Sequence, residues 1–346
     1  MKIALCSSFV PFVDGGGRFI VEWLERKLIE HGHEVERIYL PFVDHPRDMF
    51  AQMVAYRLID LTESCDRLIA FRPPSYMLRH PCKILWFIHH LRTYYDLWNT
   101  EYRPVPDSVA GRAIRDTVFA ADTATLSEAR HIFTNSRTVS DRLRHFNGID
   151  SEVLYPPLQD ADSFRCDGYG DEIVCVSRVE HHKRQHLLIE ALHHTRTPVK
   201  LRLCGISCFP ATYSDELKAL ASRLGLDGRV VFEQRWISEE EKVERLAPAL
   251  AAAYIPFDED SYGYPSLEGS HARKAILTTT DSGGVTELVV DSVNGYVCPP
   301  HPQALGEAMD RLFLDRSRAS AMGQAAYQRV LDLGITWDKV VQKLLA

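Results

Sequence analysis

Residues 172–194 read EIVCVSRVEHHKRQHLLIEALHH: a short apolar run, a basic polar loop, and then a helical pattern. The run EIVCVSR (172–178) resembles KIALCSS (2–8), which also leads into a loop and helix, GGGRFIVEWLERKLIEHG (15–32). One strand–loop–helix unit therefore opens the chain and restarts near its middle. Strands that alternate with amphipathic helices predict parallel α/β architecture.

Working outward from the first start, EVERIYL (34–40), RLIAF (67–71), KILWFIHH (83–90) and HIFTNS (131–136) read as strands. The helix after the glycines carries Phe19, Ile20, Trp23, Leu24, Lys27 and Leu28 at a 3.6-residue period, with Gly32 placed to end it. From the second start, VKLRLCG (199–205), RVVFEQRWI (229–237), LAAAYIPF (250–257), KAILTTT (274–280) and GYVCPP (295–300) continue the alternation. Ser238 and Glu241 have the spacing of a capping box. The polar, proline-bearing YPPLQDADSFRCDGYGD (155–171) joins the two halves. The pattern predicts two Rossmann-like doubly wound domains, 1–157 and 158–324, facing a central cleft. A helix over about 325–346 is also expected; its packing back onto the first domain is an expectation for a two-domain protein of this kind and is not read from the pattern.

The chain has 346 residues and a net charge of −7, so bulk electrostatics give no reason to expect a nucleic-acid partner. Its basic residues gather locally in SRVEHHKRQH (177–186), which suits a small anionic ligand. The opening MKIALCSSFVPFV reads as a strand and not a leader peptide. No run reaches the ~20 apolar residues of a membrane span. The eight cysteines are scattered without a C-x-x-C pair, and Cys6, Cys175 and Cys204 lie in strand-like runs as buried thiols. Reduced thiols point to a cytoplasmic protein.

In open α/β sheets, ligands sit at the carboxyl ends of strands beside helix N-termini, and three stretches occupy such positions. The first is the glycine loop, where Gly15, Gly16 and Gly17 let backbone approach a ligand and feed into a helix that favours phosphate. The second is Arg178 with Lys183, two cations spaced to converge on one diphosphate; as a bland alternative they are a solvated basic loop. His181, His182 and His186 interleave with them, but adjacent histidines chelate a metal poorly. The third is DEDSYGYPSLEGS (258–270), in which a turn leads to a helix beginning near Pro265. The amides of Gly263, Tyr264, Ser266 and Leu267 are expected to face a ligand there, less the one proline lacks. Glu268 is either a helix-dipole partner or an acceptor for paired hydroxyls such as a ribose diol. TTTDSGGVTELV (278–289) repeats the design around Glu287.

Taken in order, these motifs resemble glycosyltransferase family 4, retaining enzymes of the GT-B fold. The match rests on DSYGYPSLE (260–268) as the acid–x7–glutamate motif, SRVEHHKRQHLLIEAL (177–192), DSGGVTELVVDSVNGYVCPP (281–300), the early glycine loop, WFIHH (86–90) and FTNS (133–136). The resemblance implies that Arg178 and Lys183 hold the diphosphate of a UDP- or GDP-linked sugar and Glu268 its ribose. Asp260 takes the first acidic position, at the donor sugar, where the family usually has glutamate; Glu259 is the alternative. His89 matches a first-domain histidine near that sugar, with His90 as competitor. Gly16, Gly17, Gly263, Tyr264, Ser266, Leu267 and Glu287 complete the donor-binding set. It implies no metal and no cofactor, since fixed cations and amides stabilise the leaving diphosphate. The acceptor is a glycan, a lipid-linked saccharide or a small molecule. Peripheral membrane contact occurs among such enzymes through basic patches, to which the negative net charge lends no support. The aromatic stretch YYDLWNTEYRPVP (94–106) either stacks on a sugar or packs as a loop. A nucleotide-sugar epimerase, a phosphorylase and a nucleotide-sugar-binding protein without transfer are the rival readings.

Overall fold

The computed structural model describes residues 1–10, 15–43, 45–100, 103, 105–207 and 212–346. These form two compact units, Met1–Pro157 with Thr336–Ala346, and Leu158–Ile335.

In the first unit, the elements are β1 (Lys2–Phe9), α1 (Gly16–Glu30), β2 (Glu34–Pro41), α2 (Pro46–Leu58), β3 (Arg67–Ala70), β4 (Lys83–Phe87), α3 (Val109–Leu126), β5 (His131–Thr134), α4 (Arg137–Asn147) and β6 (Glu152–Val153). Six strands make one parallel sheet in the order β2-β1-β3-β4-β5-β6. Positions 3–8 of β1 are buried, as a central strand covered on both faces requires.

The second unit comprises β7 (Glu172–Val176), α5 (Gln185–His193), β8 (Lys200–Cys204), α6 (Thr212–Arg223), β9 (Val230–Glu233), α7 (Glu239–Leu246), β10 (Ala251–Ala253), α8 (Tyr264–His271), β11 (Ala275–Thr279), α9 (Val285–Leu288), β12 (Gly295–Cys298), α10 (Pro302–Leu314) and α11 (Arg316–Asp332). Its sheet is also parallel, in the order β12-β11-β10-β7-β8-β9. The α/β class read from the alternation is what the chain forms. Two strands are shorter than their apolar runs: β9 stops at Glu233 and β10 at Ala253, where each chain leaves the ladder for a loop.

A single helix over 325–346 is not what forms. Gly334, at φ 61°, ends α11, and Thr336 caps a separate α12 (Trp337–Leu345) by accepting from the Lys339 amide. The last helix is part of the first unit: the Trp337 ring meets Trp86 edge-on at 6.3 Å, and Arg67 donates to the Leu344 carbonyl at 2.6 Å. Among the described residues, no helix is long and apolar enough to cross a membrane.

Strand order also locates where a ligand fits. It reverses between β7 and β10 in the second sheet and between β1 and β3 in the first, and crevices open at such switch points. The loops leaving β7 and β10 carry the basic and acidic motifs.

Candidate functional site

At the switch point of the second unit, the loop after β7 supplies Arg178 and Lys183, and the chain after β10 supplies Tyr254 and Glu259. Lys183 is only 7 % exposed; its Nζ donates to the Tyr254 hydroxyl at 2.9 Å and forms a short ion pair with Glu259. Tyr254 in turn donates to Glu259 at 2.8 Å. Burial, then the Glu259 carboxylate, push the Tyr254 phenol well above its usual range, against a lowering by the nearby Arg178 charge. Arg178 itself donates to Glu180 at 2.9 Å. Lys183 and Arg178 thus bear on one tyrosine, which the sequence reading passed over inside an apolar run.

The register of the acidic loop is decided by backbone. Asp258 takes φ 45°, its N–H donates to the Asp281 carbonyl at 2.8 Å, and Glu259 bridges in parallel to Gly283. A Cβ on Gly283 would stand 2.3 Å from the Glu259 carbonyl oxygen. So the loop lies flat on the glycine turn, and the Glu259 side chain is the one that reaches Lys183. Asp260, at the motif's first position by spacing, is buried next to it.

Gly263 caps α8 at φ 68°, ψ 136°, and any Cβ there would come within 2.2 Å of the Tyr254 ring. The turn therefore needs glycine for both conformation and space. The amides behave differently from the expectation. Ser266 and Leu267 both donate to the Gly263 carbonyl, at 3.1 and 3.4 Å, and the Gly263 N–H reaches the Ser261 hydroxyl at 3.3 Å. The first helical turn has consumed those donors. The buried Ser266 hydroxyl has no hydrogen-bond partner among the described residues, and Tyr264 opens the helix one turn before Glu268.

Glu268 is 1 % exposed, and its Oε1 accepts from Lys242 of α7 at 2.9 Å while Oε2 has no hydrogen-bond partner among the described residues. Burial raises its pKa, and Lys242 pulls the other way. Burial would lower Lys242, but the carboxylates of Glu268 and Glu239 outweigh it and hold the ammonium charged. The predicted capping box positions this lysine: Ser238 accepts from the Glu241 amide at 3.2 Å and Glu241 from the Ser238 amide at 2.9 Å. Lys242 gave no sequence signal beyond being a lysine on a helix. Glu287 sits half-buried in α9, its carbonyl accepting from Arg329 at 3.0 Å.

Of the interleaved histidines, His186 Nδ1 is paired with the Tyr213 hydroxyl at 2.8 Å, and the His181 ring packs on Tyr213 at 4.1 Å.

In the first unit, Gly16 and Gly17 are the first residues of α1, and the Arg72 side chain crosses Gly17 so closely that a Cβ would stand 3.3 Å from its Cδ. The preceding residues 11–14 lie outside the described residues. His90 is buried, bonded to Asn147 Oδ1 at 2.9 Å and stacked on Tyr95 at 4.2 Å, whereas His89 is half-buried with Nδ1 at 2.6 Å from the His90 carbonyl. His90 lies among the rings of Phe87, Tyr95 and Phe146. Tyr94, Tyr95 and Trp98 are buried as well, so this part of the aromatic stretch packs and offers no stacking face; Glu101, Tyr102 and Pro104 lie outside the described residues.

Residues 164–329 match the family model of glycosyl transferases group 1. Over that span, a little under half of the chain, the sequence resembles that family. Alpha-maltose-1-phosphate synthase of Mycobacterium tuberculosis is 25 % identical over 293 residues, 77 % of this chain and 74 % of that one. The human alpha-1,3/1,6-mannosyltransferase ALG2 is 25 % identical over 292 residues, 77 % and 68 % of the two chains. The crystal structure of HepE from Anabaena in complex with UDP superposes with a TM-score of 0.77 at 17 % identity, covering 100 % of this chain and 98 % of that one. The fold of the chain is accordingly GT-B. The matched span contains every element of the second-unit site, from Arg178 to Glu287.

Proposed function

We propose that the chain moves a sugar from a UDP- or GDP-linked donor to a glycan, lipid-linked or small-molecule acceptor, with retention at the anomeric carbon and without a divalent cation. The observation that carries this reading is the buried Lys183 ammonium at the β7–β10 switch point, with Arg178 beside the same tyrosine. Breaking a sugar–phosphate bond builds negative charge on the departing diphosphate. Cations already held in place stabilise that charge most at the transition state. In this reading the diphosphate takes the place of Glu259 as Lys183's partner, which frees the Glu259–Asp260 pair for the donor sugar. Glu268, with Oε1 pinned by Lys242, offers Oε2 to the ribose hydroxyls. Gly263, Tyr264, Ser266, Leu267 and Glu287 would border the donor, Ser266 through its hydroxyl. From the first unit, Gly16, Gly17 and His89 are assigned to substrate contact on the family resemblance. Seven described cysteines are free thiols, which supports a cytoplasmic setting.

The test is a transfer assay over UDP- and GDP-sugars with EDTA present, using wild type, Lys183→Ala and Glu268→Ala. Wild type should retain activity in EDTA and yield product of unchanged anomeric configuration by NMR, while each variant loses at least ~100-fold in kcat/KM. Full activity in both variants defeats the assignments.

A further inference from the structure

Next to Lys183 in the chain stands a second buried cation, Arg184, which the proposed mechanism does not use. It caps α5 in the left-handed region, φ 55° and ψ 35°, where residues with a β-carbon seldom settle unless something holds them. What holds it is its own side chain. The guanidinium donates to the carbonyls of Ile255 and Pro256 at 2.9 and 2.8 Å, to the Thr279 hydroxyl at 2.8 Å, and to both Asp281 oxygens at 2.7 and 2.8 Å. Those partners are the segments leaving β10 and β11. One planar fork therefore joins three loops: the one bearing Lys183, the one running from Ile255 to Glu259, and the one running from Thr279 into the Gly283 turn. A planar, rigid donor set is suited to fixing several acceptors at once.

We propose that Arg184 is the positioning residue for the diphosphate contact: it holds the Cα of Lys183 in register with the Glu259 loop. The inference rests on the reading of Lys183 given above. The adjacent backbone supports it. Phe257 N–H donates to the His182 carbonyl at 2.7 Å, so the loops are already stitched on one side, and the guanidinium closes the other. Without the fork, Lys183 loses its fixed origin. Arg184 touches no ligand itself.

The experiment measures affinity for UDP, GDP, UMP and GMP by isothermal titration, at a temperature where circular dichroism shows every variant folded. Wild type should bind one diphosphate at least ~10-fold more tightly than its monophosphate, the extra affinity coming from the charge-assisted contact. In Arg184→Met and Arg184→Gly that ratio should shrink toward one, as in Lys183→Ala, with monophosphate affinity unchanged; Arg184→Lys should fall between. The glycine variant separates two causes, because it accepts the left-handed backbone but has no fork. A preserved ratio in Arg184→Gly overturns the proposal, since backbone conformation would then suffice. So does a lowered melting temperature with the ratio intact in both variants, which marks a purely structural clamp. If Lys183→Ala leaves the ratio untouched, or wild type shows none, the reading of Lys183 itself fails and takes this inference with it.

Discussion

Replacing Lys242 by methionine removes the one cation that touches Glu268 among the described residues, while keeping the volume and apolar stem of the side chain. The two groups are 2.9 Å apart with side-chain exposures of 10 % and 1 %, so Glu268 would be left buried without compensation. Breaking a buried pair from one side costs about 3–5 kcal/mol. The carboxylate has an escape, which is to take up a proton. At pH 7, holding a glutamate of ordinary pKa about 4.3 neutral costs roughly 4 kcal/mol, at 1.36 kcal/mol per unit. The two routes are comparable, so the variant should lose about 3–4 kcal/mol at pH 7. The sign of the pH dependence follows. In the variant, Glu268's folded pKa lies above its unfolded value, so its folded state is favoured in acid and penalised as pH rises. By pH 5 the cost of protonation falls to about 1 kcal/mol, and the loss should shrink with it. Urea unfolding of wild type, Lys242→Met, Glu268→Gln and the double variant at both pH values measures this. The double variant should recover most of the stability at pH 7, because a neutral amide replaces the stranded charge. A loss independent of pH, or a double variant no more stable than Lys242→Met, would refute the argument.

Gly263→Ala should destabilise the chain by at least about 2 kcal/mol, since a Cβ at φ 68° meets the Tyr254 ring at 2.2 Å; thermal unfolding checks this, and a near-neutral alanine would show that the turn can shift. Asp122, wholly buried in the first unit and accepting from the Tyr95 hydroxyl at 2.8 Å, has its pKa pushed up to about 7, by burial against the phenols of Tyr76 and Tyr95. A folded pKa above the unfolded one means stability is lost as pH rises from about 4 to 7, by up to roughly 4 kcal/mol from this group. Asp122→Asn should therefore flatten the pH profile of urea stability between pH 5 and 8 and gain most at the alkaline end; an unchanged slope would place the titration elsewhere.

What was legible in the sequence was what neighbours in the chain encode. Apolar runs of strand length, the 3.6-residue period of α1, the Ser238–Glu241 cap and the restart at Glu172 all act within a few residues, and each appears in the structure. The order of the motifs carried the family resemblance. Even the position of the glycines was informative, because a left-handed turn at Gly263 leaves few alternatives.

Tertiary structure decided which side chains meet. Lys183 lies 71 residues from Tyr254 and 76 from Glu259, Arg184 lies 97 from Asp281, and Lys242 lies 26 from Glu268. No local period links such pairs; strand order does, by setting β10 beside β7 and β11. The same holds for the ambiguous choices. Spacing left Asp260 and Glu259 both open for the first acidic position; in the structure Glu259 bridges to Gly283 and its own side chain reaches Lys183. Two adjacent histidines look alike in a string of letters, yet the aromatic cluster of Phe87, Tyr95 and Phe146 encloses His90 and leaves His89 at the edge. Local propensity selects the elements, and their packing selects the partners, because burial and hydrogen bonding act on distance in space and not along the chain.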